Sequence, residues 1–296
     1  MMAEAHVYHE GELAVQRRTG EEAAARQNGR TIRNELPAGA VRLFQDQTFA
    51  IVSSTDKLGK VWCSCITGEP GFIRVIDAQT IQLTAGPVEG DPFLPNVKLQ
   101  PEIGILVIDL LKKRRVRMNG QGMLDANHHL IVKVEQAYGN CPKYIQKRTC
   151  EEGSSMLRLP GISTRERFLS GAQREWIRNA DTFFIGSAHA SGKADASHRG
   201  GSPGFVQMED ERVLIFPDYV GNSMYNTLGN IHTNPQTGLL FMDFTNGHTL
   251  QLTGRSAIIW DQEAEALIPS AERLVRFELE EVLFTQNLTK IRWESV

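Results

Sequence analysis

No stretch of this chain stays apolar for the roughly eighteen residues that a membrane-spanning helix needs, so no membrane segment is expected. Cysteine is scarce: four in 296 residues, at Cys63, Cys65, Cys141 and Cys150. The opening MMAEAHVYHEGE has no basic start, apolar core or small-residue cleavage pattern. No signal peptide is read there, and a cytoplasmic location with reduced thiols is expected. Cys63-x-Cys65 would place two thiols on one strand face, but no second ligand pair at zinc spacing accompanies it, so no metal is expected. An excess of positive charge is also missing: 32 Lys and Arg stand against 35 Asp and Glu, a net charge of −3. That excludes a general electrostatic pull toward nucleic acid. The one basic run, Lys112-Lys113-Arg114-Arg115, lies between apolar segments and reads as a hairpin turn with solvated charges. Neither a Walker Gly-x-x-x-x-Gly-Lys nor a Rossmann Gly-x-Gly-x-x-Gly occurs. No carboxylate or nucleophile declares itself as catalytic, and that role is left unassigned.

What the chain does contain is itself, twice. Thr48 to Gly122 is matched by Thr182 to Ser256 at a nearly constant offset of about 133 residues, too long for a solenoid unit. Thr48-Phe49 answers to Thr182-Phe183, Gly59-Lys60 to Gly192-Lys193, and Pro70-Gly71-Phe72 to Pro203-Gly204-Phe205. Asp77 answers to Asp210, Gly104 to Gly238, Asp109 to Asp243, and Gly120 to Gly254. Two such domains in one chain should pack about an approximate two-fold axis, as subunits of a homodimer do. Positions where the copies agree read as fold; positions where they differ read as function.

Each copy shows about six short strand patterns separated by turn residues, with one inserted helix. That predicts a mainly β fold with a few helices: two tandem split β-barrels packed as a pseudo-dimer. The expected layout is an N-terminal helical segment over 1–45, a degenerate first barrel over 46–150, a linker with a helix over 151–180, and a second barrel over 181–296. Within the first segment Glu21 to Leu36 reads as one helix stopped by Pro37, and Ala40 to Gln45 as a second. In the second copy the inserted helix is expected to be capped by Asn222 or Ser223, with Met224, Leu228 and Ile231 as its apolar stripe. In the first copy, Pro92 and Pro95 argue against a long helix at the same place.

The sharpest difference between the copies is Ser197-His198-Arg199-Gly200-Gly201-Ser202 against Ser64-Cys65-Ile66-Thr67-Gly68-Glu69. Only the second copy holds a cation and a titratable ring beside a Gly-Gly turn. Downstream, Pro217-Asp218-Tyr219-Val220-Gly221-Asn222 leads into the inserted helix. Gly221 would let a ligand approach backbone N–H groups, a helix start binds phosphate, and Arg199 can fork onto it. A phosphate pocket made of strand and helix N-terminus is the expectation, and an acidic substitution at Ile66 in the empty copy is expected to be silent.

These residues resemble the FMN-binding split-barrel family related to pyridoxamine 5′-phosphate oxidase. The matching pieces are Phe184-Ile-Gly-Ser, Ser197-His-Arg-Gly-Gly-x-Pro-Gly-Phe205, Pro217-Asp-Tyr-x-Gly-Asn222, Asn226-Thr-Leu-Gly-Asn-Ile231, Asn234-Pro-x-x-Gly-Leu-Leu-Phe241 and Leu250-Gln-Leu-Thr-Gly254. The likeness covers about Asp181 to Ile258, and the first copy more loosely. It implies FMN at the interface of the two barrels. The expected contacts are Ser197, His198, Arg199, Gly200, Asp218, Tyr219, Asn222, Asn226 and Thr227, with Lys143 reaching across from the Asn140-Cys-Pro-Lys143 segment. His198 reads either as a donor near the flavin or as a strand residue turned away from Arg199. Tyr219 is a ring wall or plain packing, Lys143 a charge near the flavin's pyrimidine edge or a solvated lysine. The oxidase's Arg-x-Val-Leu-Leu-Lys strand and C-terminal Arg-Leu-x-Pro arm are missing, so vitamin B6 oxidation itself is not implied. The implied activity is an FMN-dependent oxidoreductase acting on a small molecule, with NAD(P)H or oxygen as further partner. The alternatives are a non-catalytic flavin sensor or carrier, a haem-binding split barrel, and a duplicated module without ligand. Association of two chains is left open.

Overall fold

A computed structural model describes residues 7–150, 162–260, 271–288 and 292–296. Two helices precede the first barrel, α1 (Glu10–Thr19) and α2 (Glu22–Gly29), then a third, α3 (Ala40–Gln45). α1 was not expected from the sequence. It begins with a reciprocal cap: the His9 ring accepts the Gly11 N–H at 3.2 Å, and the Glu12 carboxylate accepts the His9 N–H at 2.8 Å. Gly20, at φ 71°, closes it. The single helix expected from Glu21 to Leu36 is shorter, ending at Gly29, well before Pro37.

The first barrel comprises β1 (Phe49–Thr55), β2 (Val61–Thr67), β3 (Ile73–Asp77), β4 (Thr80–Leu83), α4 (Phe93–Leu99), β5 (Glu102–Asp109), β6 (Arg114–Leu124) and β7 (Leu130–Gly139). After β8 (Arg148–Cys150), β9 (Ile162–Glu166) and α5 (Gly171–Asn179), the second barrel follows. Its elements are β10 (Thr182–Ala188), β11 (Ala194–Gly200), β12 (Gln207–Met208), β13 (Val213–Pro217), α6 (Asn226–Thr233), β14 (Gln236–Asp243), β15 (His248–Trp260) and β16 (Arg273–Gln286), with β17 (Trp293–Ser295) pairing back onto β8. The two antiparallel sheets run in the same order, β2-β1-β5-β6-β7-β4-β3 and β11-β10-β14-β15-β16-β13-β12. Part of the linker expected over 151–180 lies outside the described residues; its helix is α5. Among the described residues no helix is long and apolar enough to cross a membrane.

The shared residues are structural. Gly120 and Gly254 both sit where the ladder shifts by a residue, and a Cβ on either would stand 2.1 Å from a carbonyl oxygen, of Lys133 and Glu278 respectively. Gly104 and Gly238 let the barrels touch: a Cβ on Gly104 would lie 2.5 Å from the Asp195 backbone, and one on Gly238 2.7 Å from the Cys63 nitrogen. Asp77, Asp109, Asp210 and Asp243 each accept backbone N–H groups in their turns.

Sheet pairing corrects the match of the first strands by one residue. Ile51 faces Leu106, as Phe184 faces Leu240. Phe183 therefore corresponds to Ala50, not Phe49. Burial agrees: Ala50 and Val52 fill the first barrel's core and Phe183 and Ile185 the second's, whereas Phe49, Ile51 and Phe184 lie in a third apolar cluster between the barrels. A one-residue slip would turn each side chain to the wrong face. The extra residue of the second copy enters within the inserted helix, which has eight residues against seven. Asn96 in α4 and Asn230 in α6, equivalent positions of the two helices, both donate to a buried serine, Ser54 and Ser187.

That helix departs from expectation in the second copy; in the first, α4 is short, at seven residues, as the prolines predict. The prolines do not prevent α4, because Pro92 and Pro95 fall at its cap and first turn, where no N–H is required. α6 starts at Asn226, not beside Asn222 or Ser223; its cap residue is Tyr225, left-handed at φ 60°, with no side-chain cap. Met224 is thus outside the helix.

Candidate functional site

A cleft opens where β11, the Pro217–Leu228 segment, β6 and the Asn140–Tyr144 segment meet. All ten residues singled out from the sequence line it: Ser197, His198, Arg199, Gly200, Asp218, Tyr219, Asn222, Asn226, Thr227 and Lys143. They do not share one task. Arg199 donates to the Ser197 hydroxyl at 3.0 Å and to the His198 carbonyl at 3.1 Å, and Asp218 braces it at 3.7 Å. Asp218 also pairs with Arg273 at 3.4 Å, so its carboxylate holds cations in place and is not itself an anion contact. Asn222 accepts the Met224 N–H, a turn bond. Both ends of the Asn226 amide are engaged, by Tyr138 and Glu12. Tyr219 stacks on Tyr144 with ring centroids 5.0 Å apart at the cleft mouth. Lys143 is exposed at the rim. Gly200 is required by the approach of the other barrel, since a Cβ there would lie 2.1 Å from the Tyr144 oxygen. Gly221 faces no such restriction; its nearest neighbour would be at 3.8 Å.

His198 and Arg199 do point to opposite sides of β11, yet both reach the cleft, because its walls come from both barrels. His198 is buried against Phe184 and faces Arg115, whose guanidinium lies 3.0 Å from Nδ1. Arginine only donates, so Nδ1 is the bare nitrogen and Nε2 carries the proton. Burial, with Arg115 and Arg199 nearby, holds the ring well below the usual histidine range, hence neutral.

The first barrel supplies cations that the sequence reading passed over. Arg115 is not a solvated turn residue: it donates to the Cys141 carbonyl at 2.8 Å and to His198, and neither partner carries negative charge. Burial, reinforced by Arg117 and Arg199, pulls it down to about 10, still charged at neutral pH. Arg117 is buried and paired with Asp195. A signal was present, since Arg115 and Arg117 stand where the second copy has Thr249 and Gln251. Buried Arg115 Nε, Arg199 Nε and His198 Nε2 donors are left without a hydrogen-bond partner among the described residues. Unmatched buried donors around positive charge are costly unless an anion meets them.

The first barrel shows what such an anion would meet. At the corresponding place Asp91, fully buried, accepts from the Ser64 hydroxyl at 2.8 Å, the Phe93 N–H at the start of α4 at 2.8 Å, and Gln251 of the other barrel at 2.6 Å. The second barrel's counterparts are Ser197, the first N–H groups of α6, and Arg117, with Met224 in place of Asp91. The carboxylate that closes the first site is Asp91, not Glu69, which is exposed in its turn.

Behind the cleft, burial raises Glu12 to about 7, against hydrogen bonds from His9 and Asn226 that favour its charge. A carboxyl raised in the fold stabilises it below its unfolded value and loses that contribution as pH climbs through the folded one. Glu12→Gln removes this titration. Relative to the parent, the variant is expected to gain about 2–3 kcal/mol between about pH 4.5 and about pH 7, and no more above that, read from urea unfolding at each pH.

Residues 169–296 match the family model described as pyridoxamine 5′-phosphate oxidase. No curated protein matches the chain. Among solved structures, a protein of Lactobacillus delbrueckii described as a candidate pyridoxamine 5′-phosphate oxidase is 15% identical, with 40% of this chain and 98% of that one covered and a TM-score of 0.33. An FMN-binding protein of Syntrophomonas wolfei is 9% identical, covering 38% and 82%, with a TM-score of 0.28. HutZ of Vibrio cholerae, described as a heme storage protein, is 14% identical over 38% and 90%, with a TM-score of 0.28. The second half of this chain folds as a split barrel and is similar to the pyridoxamine 5′-phosphate oxidase family, whose model it matches.

Proposed function

We propose that the cleft binds FMN and that the chain is an FMN-dependent oxidoreductase acting on a small molecule. The observation that carries this is an excess of cations: the cleft brings Ser197, Arg199 and a helix start of the second barrel together with Arg115 and Arg117 of the first. Asp218 and Asp195 pair with Arg199 and Arg117, Arg115 meets only the neutral His198 and the Cys141 carbonyl, and Met224 stands where the first barrel holds Asp91. A phosphate group fits that donor set in charge and chemistry. Arg115 and His198 then face the ring side of the ligand, and Lys143 at the rim stabilises negative charge on it. Bound flavin supplies electron transfer; the chain supplies orientation, positive charge and shelter from water. The stacked Tyr144 and Tyr219 restrict entry to that shelter.

The spectrum of the purified protein, followed by FMN titration, tests the reading. Flavin absorbance and one FMN per chain are expected, with bleaching by NADH or NADPH without oxygen. Two FMN per chain would contradict a closed first site. A Soret band would favour haem, and flavin that neither NADH nor NADPH bleaches would favour a carrier.

A further inference from the structure

We propose that α1 and α2 are a positioning device for this cleft, with Gln16 and Asn28 clamping from behind the backbone that presents the start of α6. The family-matched residues begin at 169, so this device lies outside them. The site segment is held at five points by the N-terminal helices. Asn28 donates to the Asn222 carbonyl at 2.7 Å and Gln16 to the Met224 carbonyl at 3.0 Å. Tyr225 donates to Glu21 at 2.8 Å, Asn226 to Glu12, and His9 meets Asn230 at 3.0 Å. Contact between the helices is close enough that a Cβ on Gly11 would stand 2.2 Å from the Gly229 oxygen.

The positions of the first two bonds are informative. Ser223 and Tyr225 are left-handed, at φ 59° and 60°, a conformation costing a residue with a Cβ about 1–2 kcal/mol. The Asn222 and Met224 carbonyls belong to the two peptide planes that immediately precede them. Holding those planes stops the rotation that would relieve the strain. The first barrel needs no such clamp: Gly90, at φ 87°, stands in the place of Ser223, and Pro92, at φ −71°, in that of Tyr225. Without the clamp, the α6 N–H groups would not converge with Ser197 and Arg199.

The ligand part of this proposal rests on the flavin reading; the clamp itself does not. Hydrogen exchange mapped by mass spectrometry on the full-length Gln16→Ala/Asn28→Ala variant tests the clamp. Amides from 223 to 228 are expected to exchange about tenfold faster, with protection elsewhere in the second barrel as in the parent. FMN affinity is expected to fall about tenfold while riboflavin, which lacks the phosphate, stays within about twofold. Unchanged exchange at 223–228 overturns the clamp, as does equal weakening of FMN and riboflavin. If the double variant loses protection everywhere, Asn28→Ala alone, at a half-buried position, gives the same readout. A parent that binds no FMN removes the flavin reading, and the exchange map still decides the clamp.

Discussion

Arg199→Glu is expected to weaken FMN binding by about 3–5 kcal/mol, two to three decades or more in Kd, the penalty for an unmatched charge at a buried ionic site. The guanidinium lies where Ser197, Asp218 and the cleft meet, and its side chain is 19% exposed. Reversal removes a phosphate donor and puts a second carboxylate beside Asp218. Arg115 and Arg117 partly offset that repulsion, which is why the loss is bounded. Arg199→Lys should lose less, since it keeps the charge and gives up the forked geometry. Titration by flavin fluorescence quenching reads both. A Kd for Arg199→Glu within about threefold of the parent would remove the phosphate from this corner of the cleft.

Ile66→Glu is expected to destabilise the protein by at least about 3 kcal/mol, and not to be the silent change that sequence comparison suggests. Ile66 corresponds to Arg199, but it is wholly buried in the first barrel's apolar core, among Ala50, Phe72 and Ile81. Among the described residues, that cluster holds no cation to receive a carboxylate. Urea or thermal unfolding checks this, and a midpoint equal to the parent's would mean that the side chain escapes to solvent. A fair control for a closed first site is therefore FMN stoichiometry.

The contrast between these two residues shows where sequence reasoning works. That Arg199 differs from Ile66 is visible in the chain; what surrounds each is not. Strand periodicity and shared turn residues gave the mainly β character of both copies, and the aspartates and glycines that the copies share proved to be turn caps, bulges and seam contacts. The first-strand register was off by one because Thr48-Phe49 and Thr182-Phe183 look alike, whereas the ladder responds to which face is buried. α1 was missed because its cap is a histidine. The cap bond depends on Glu12, which is itself held by Asn226 more than two hundred residues away.

Two mainly β domains in tandem, and the positions at which their chemistry differs, follow from the linear chain alone, because periodicity, turn chemistry and internal comparison are local properties. The cleft's composition was decided only on folding. Arg115 leaves its turn to face His198, Asp91 closes the first site, and the N-terminal helices brace a strained loop from the far end of the chain. Charge and hydrogen bonding act through space over a few ångströms. Groups far apart in sequence set each other's role only once packing has brought them within that range and excluded the water that would otherwise satisfy them.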